Sequence, residues 1–305
     1  GTARAGSVTL DAGAILQTDT RTIASPAAGA VKIYSRGDVT AATGSALVGN
    51  TVLVDTVDGS GATSGKVTLG SVYGLGATGA GVGALTVNAD GDVRLAGVKS
   101  TGATSVSTAG SITNTAAIDA GSVTLASTGG GAIDIGLGVQ ARDAAGAVDL
   151  RTTGTVTLGS RGIQTNGGSI GIGASNQRVA SVAGSNAMLV AGDADGDSGT
   201  VSVYSGGAVT LKSVSAGSGG GVRIDALGAV NLLGDIAGIS STGSTGWVDI
   251  SGADTSNGLS AAQRDDQVSA GADAITVQGL FTSGVGASGN GIQLIGGNRS
   301  HINVM

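Results

Sequence analysis

Three carboxylates at alternate positions form the densest cluster of chemical groups in the chain, Asp193-Ala-Asp195-Gly196-Asp197. Hard oxygen ligands spaced around a glycine turn are what Ca2+ takes, so Asp193, Asp195 and Asp197 are candidate calcium ligands. The EF-hand form adds a bidentate glutamate further on, and this chain has none: its 21 acidic residues are all aspartate. A polar loop is the competing reading, and calcium is the one cofactor the residues suggest. Asn88-Ala-Asp90-Gly91-Asp92 is a shorter version that reads as a turn. Arg36-Gly37-Asp38 is a tripeptide of the kind integrin-type receptors capture, which makes it a candidate receptor-binding site. Against that, Gly37 also fits as the corner glycine of a regular repeat, with solvated neighbours.

Acid–base chemistry is harder to assemble. Asp134, Asp149 and Asp249 read as the same place in three copies of a repeat, and stacked carboxylates serve as acid and base in glycan cleavage. No Lys, Arg or Trp clusters beside them in sequence, so charge on an outer face is the better reading. His301, the only histidine, has no apparent Asp and Ser partners. Gly74-Leu-Gly76 and Gly284-Val-Gly286 lack the helix and the Lys-Ser/Thr pair of a phosphate loop. Cysteine nucleophiles, disulfides and Cys/His zinc sites are excluded because the chain has no cysteine. The reading is therefore a protein with no catalytic residues, not an enzyme.

The elements that would carry these groups follow from a repeat. A glycine, then apolar residues at alternate positions, then a second glycine eight residues after the first, recurs along the chain. Gly146-Ala-Val148-Asp-Leu150 leads to Gly154-Thr-Val156-Thr-Leu158, and Gly199-Thr-Val201-Ser-Val203 leads to Gly207-Ala-Val209-Thr-Leu211. Gly83 with Gly91 and Gly220 with Gly228 do the same, and single strands of this type open at Gly6, Gly65, Gly121, Gly131, Gly168 and Gly246. Period-2 alternation marks short half-buried strands, and the glycines between them let the chain turn. A third apolar position follows in most copies, as at Val98, Ile118, Ile163, Val214 and Ile236.

Two strands and a shorter third before the next copy describe a three-sided coil. The expectation is an all-β parallel β-helix, a solenoid of three short strands per coil and about fourteen coils, occupying residues 1–305 as one shaft. Insertions are expected near 175–198 and 253–270, the latter with a short helix at Leu259–Arg264. An antiparallel sandwich is the rival, but it would use two-residue hairpins and aromatic anchors rather than one motif at an eight-residue step.

Composition agrees with a narrow core. Glycine fills 59 of 305 positions, and Trp, Tyr and Phe together supply only five. A net charge of −6 and scattered cations disfavour nucleic acid and anionic lipid as partners. No run of 18 apolar residues is present to cross a membrane as a helix.

Copies such as the one from Gly146 to Ile163 resemble the repeats of the filamentous haemagglutinin-like exoproteins, adhesins exported by two-partner secretion, and of some autotransporter passengers. The resemblance runs from Gly6 to about Leu294 and is one of repeat style. It implies a right-handed helix and an extracellular or outer-membrane location on a Gram-negative bacterium. It also implies a part in adhesion or biofilm, with host or neighbouring cells, glycans or matrix as partners. Lack of cysteine fits such export. The Asn-Pro-rich secretion domain that opens family members is not found, so the chain reads as an internal shaft segment. The alternative is a subunit whose copies stack end to end into a filament; a polysaccharide lyase or hydrolase on the same fold ranks below both.

Overall fold

The computed structural model describes residues 8–10, 15–17, 30–35, 37–41, 45–57, 65–74, 83–192, 199–216, 220–234, 236–238, 247–252, 273–277, 281–282, 292–296 and 301–304. These residues are all-β, with no helix among them. Named strands pair in parallel throughout, within one 11-stranded and one 19-stranded sheet. The arrangement is consistent with a β-helix or solenoid and excludes the antiparallel sandwich.

Each copy of the repeat contributes to three rows of strands. The 11-stranded sheet, row A, takes the strand that opens a copy, such as Ser122–Ser127, Val148–Arg151, Ile170–Ile172 and Val201–Ser205. The second strand enters row B, where Ile112–Asn114, Ile133–Ile135 and Thr155–Leu158 lie side by side. The third enters row C, where Ala117–Ala120, Gly138–Ala141 and Gly162–Thr165 do the same. Rows B and C belong to one sheet because some strands run through both. Val67–Gly74 and Val93–Ser100 pair first as Val67↔Val93 in row B, then as Val72↔Val98 in row C.

The third apolar positions, Val98, Ile118, Ile163 and Val214, fall in row C as expected. Row A holds eleven strands among the described residues, where about fourteen coils were expected for the whole chain. The glycines at 65 and 131 open second strands in row B, after Thr51–Asp55 and Ser122–Ser127, rather than new copies.

Alternation does the packing. Along row A, Val31, Val52, Leu85, Val123, Val148, Ile170, Val201 and Val222 stack rung on rung, each at most 4% exposed. A single buried cluster of Val, Ile, Leu and Ala runs from Val31 to Ile275. Burying each such side chain contributes about 1.5–3 kcal/mol, and no rung buries its apolar face without its neighbours. Polar residues interrupt the buried stacks at Thr104 in row A, between Leu85 and Val123, and at Asn114 in row B, between Leu95 and Ile135. Both are 1% exposed, and their side-chain polar atoms have no hydrogen-bond partner.

Glycine works differently from the expectation. Most described corner glycines have ordinary φ; positive φ is confined to Gly65, Gly130, Gly162, Gly167, Gly173 and Gly192. The others are needed because successive rungs touch. A Cβ on Gly146 would lie 1.9 Å from the carbonyl oxygen of Gly121, and one on Gly168 would lie 2.0 Å from that of Gly146. Gly121, Gly146, Gly168 and Gly199 thus form a column in which each glycine accommodates the one before.

Hydroxyls fasten the opposite corner. Thr108 donates to the Gly91 carbonyl of the rung before and accepts from Gly110 N. Ser127 donates to Gly110 O at 2.7 Å and Thr152 to Gly131 O at 2.6 Å. The sequence carries this as a Ser or Thr two residues before a corner glycine, as at Thr108 before Gly110 and Thr152 before Gly154.

The widened step at 175–198 contains a strand. Ser181–Val190 is a ten-residue strand that continues rows B and C, with a register shift between Gly184 and Met188. Buried Val182, Ala187 and Leu189 explain why it stays in the wall. A turn closed between Ala174 and Gln177 precedes that strand, and residues 193–198 lie outside the described ones. The stretch 253–270, with the helix expected at Leu259–Arg264, lies outside the described residues.

Candidate functional site

The chemistry the structure places together lies on the outer surface of row A. Outward positions there follow one line of register: Thr86, Ser105, Thr124, Asp149, Gly171, Ser202, Arg223 and Asp249. Asp149 and Asp249 share this row but stand four rungs apart, about 19 Å at the usual strand spacing. Glycan hydrolysis by two carboxylates needs about 5–9.5 Å. Asp134 is not in the row at all; it lies in row B, between Thr113 and Thr157. The three aspartates that share a place in the repeat are therefore dispersed.

Arginines pair with outward aspartates, some from the same strand and some from other rungs. Arg223 donates to Asp249 Oδ2 at 2.9 and 3.2 Å. Hydrogen bonds that it donates to Tyr204 and Asp249 hold its guanidinium above the usual arginine pKa. Arg178, from the turn before Ser181–Val190, spans Asp225 at 2.6 and 3.1 Å and donates to the carbonyls of Ser205 and Asp225. This pair is the most enclosed in the described structure, with side chains 16% and 17% exposed. The guanidinium carbon of Arg178 lies 5.9 Å from the centre of the Tyr204 ring. Arg151 pairs with Asp149 on its own strand at 2.7 Å, and Arg142 pairs with Asp119 on row C.

Where row A reaches Gly171 the outer wall has a gap. A Cβ there would meet only Asp149 Oδ1, at 3.5 Å, and Gly171 has ordinary φ. The concavity is about 530 Å3 and is lined by Asp149, Arg151, Ser169, Asn176 and Gln177. The turn that closes it is held by reciprocal backbone bonds between Ala174 and Gln177, at 2.9 and 3.0 Å. On its far side the next rung presents Ser202 and Tyr204 outward. Sequence reasoning missed this site because nothing local marks it. A glycine appears where other copies carry Thr, Asp or Ser, and its neighbours come from four separate segments.

The other candidates stand as follows. Asp193, Asp195 and Asp197 lie outside the described residues, as does Arg36. Asp38 Oδ1 accepts from Lys66 N at 2.9 Å and Gly65 N at 3.3 Å, so that carboxylate caps the next rung. Asp92 does the same for Ser111 N at 2.9 Å. The shared Gly-Asp-Val corner, at Gly37 and Gly91, accounts for both as rung-to-rung caps. Asp90 lines a separate shallow concavity of about 470 Å3 with Asp55 and Asn88. Among the described residues no three acidic or histidine side chains are grouped to hold a metal, and no helix is long and apolar enough to cross a membrane.

No family model, curated protein or solved structure matches this chain.

Proposed function

We propose that the chain is a non-enzymatic extracellular shaft, a right-handed parallel β-helix with three short strands per coil. Each coil gives one strand to each of rows A, B and C. The shaft holds a surface adhesin or exoprotein of a Gram-negative bacterium away from the cell, in adhesion or biofilm. The buried aliphatic cluster that extends along the rows from Val31 to Ile275 carries this reading. Its job in such a rod is mechanical: parallel ladders along one axis share load, and each rung is fastened to the next by corner hydroxyls and backbone bonds. The outer walls support it as well. Arg223, Arg142 and Arg178 neutralise aspartates of neighbouring rungs, which keeps the surface soluble and discourages sheet-on-sheet association. The four-rung separation of Asp149 and Asp249 speaks against acid–base cleavage of a glycan. Location and export rest on the resemblance of the repeats.

Negative-stain electron microscopy of the 305 residues, with and without Ca2+, tests the proposal. Single short rods, at least about 50 Å long from the eleven described rungs of row A, are the expected result. Uniform filaments would favour the end-to-end stacking subunit instead, and compact globules would overturn both readings. Filaments appearing only with Ca2+ would direct mutagenesis to Asp193, Asp195 and Asp197.

A further inference from the structure

We propose that the gap at Gly171 is a binding site for a neutral oligosaccharide. The proposal rests on the reading of the chain as a non-enzymatic shaft, in that the site holds a glycan and does not cut it. Four observations carry it.

The gap is built into the wall. Gly171 pairs with Asp149 on one side and Ser202 on the other, so removing one side chain opens about 10 Å between the flanking rows. Its floor is a paired strand, which makes it rigid, and rigid elements hold a site more closely than loops do.

The lining suits sugar hydroxyls, which donate and accept at once. Asp149 accepts, Arg151 donates, Ser169 does both, and the amides of Asn176 and Gln177 offer one of each. The Asp149–Arg151 bond fixes two of these groups relative to one another.

The local charge is balanced. Asp149, Asp225 and Asp249 are matched by Arg151, Arg178 and Arg223, each in a direct pair. A uronate, sulfate or phosphate would meet no surplus cation here, whereas an uncharged sugar loses nothing by this balance.

An aromatic residue stands on the rung after the gap, its backbone next to Gly173 of the lining, with Arg178 over one face of its ring. Tyr204 is outward on the next rung, and its contacts with Arg178 and Arg223 hold the ring in place. An amphipathic ring of this kind offers an apolar face to the C–H side of a sugar and a polar edge to its hydroxyls. An extended peptide is a poorer fit. The strand at the floor has both edges already paired, leaving no free ladder to extend.

The test is an immobilised panel of short neutral gluco-, galacto- and manno-oligosaccharides, with uronate and sulfated oligosaccharides alongside, followed by calorimetry on any that bind. Two variants accompany the unmodified chain. Gly171→Val fills the gap with a residue suited to a strand, and the open space at this position lets it fold with an unchanged or higher urea midpoint. The double variant Asn176→Ala, Gln177→Ala removes the amides from the turn. The expected result is binding to at least one neutral series, weakened about tenfold or more by each variant. Failure to retain any neutral oligosaccharide, retention of charged ones alone, or undiminished binding by Gly171→Val would overturn the assignment. Shortening of a bound oligosaccharide would leave the site standing and overturn the non-enzymatic reading, so the two failures are distinguishable.

Discussion

Substituting Gly146 with alanine adds one methyl group to a corner where two rungs touch. That methyl would lie 1.9 Å from the carbonyl oxygen of Gly121 and 3.1 Å from that of Asp143. The first contact falls 1.1 Å short of 3.0 Å, which real Cβ atoms essentially never undercut. Both sides of the clash are backbone, so no rotamer change relieves it. The rungs must part at this corner, stretching the bonds from Val123 N to Ala147 O, 2.9 Å, and from Asp143 N to Gly121 O, 3.2 Å. Overpacking of a close-packed site costs about 1–3 kcal/mol, and a rigid backbone clash belongs at the upper end, about 3 kcal/mol.

Gly97 is the matched control. A Cβ there meets nothing nearer than Ala116 Cβ at 3.6 Å, and its φ is ordinary. Gly97→Ala should gain about 0.5 kcal/mol by restricting the unfolded chain. Urea unfolding followed by circular dichroism compares the two, with matched slopes required before midpoints are converted to free energies. Hydrogen exchange adds a local readout, because neighbouring rungs fray as units. Equal midpoints for the two variants, or a Gly146→Ala protein within about 0.5 kcal/mol of the unmodified chain, would refute the claim that corner glycines serve close stacking.

Three further predictions follow from the same contacts. Thr104→Val removes a buried hydroxyl without a partner while keeping the side-chain shape, and should raise stability by about 1 kcal/mol in the urea assay. Asn114→Leu, between Leu95 and Ile135, should do the same by about 1–3 kcal/mol; a loss at either position would mean that the polar atom has a use these contacts do not reveal. Arg178→Met removes the guanidinium that pairs with the largely enclosed Asp225 and should cost about 2–3 kcal/mol, whereas Arg142→Ala, which breaks an exposed pair, should change stability by under about 0.5 kcal/mol.

Much of the wall was legible in the sequence because it is written locally. The alternation in Gly146-Ala-Val148-Asp-Leu150 and its neighbours marked the strands and their inward residues, and Val98, Ile118, Ile163 and Val214 marked the third row. What escaped depends on which residue lies one rung away, and the steps between rungs are unequal. Val123 pairs with Val148, 25 residues on, whereas Ile170 pairs with Val201, 31 residues on. Without that register the stacking role of Gly146 reads as a turn, and Arg223 appears unrelated to Asp249. The gap at Gly171 and the enclosed Arg178–Asp225 pair were invisible for the same reason. Their parts come from segments that only the stacking of rungs brings together.

The claim on which both the shaft and its binding site depend is that one outward row continues rung after rung along a single axis. Thr86 and Ser202 are linked through Ser105, Thr124, Asp149 and Gly171 in that row. The chain has no cysteine, so Thr86→Cys with Ser202→Cys provides two unique spin-label sites. Pulsed electron–electron resonance should give one narrow distance near 24 Å, five strand spacings, for residues far apart in sequence. A broad distribution, or a distance beyond about 40 Å on the same strand-spacing scale, would contradict the stacked row and with it the account of the molecule as a rod.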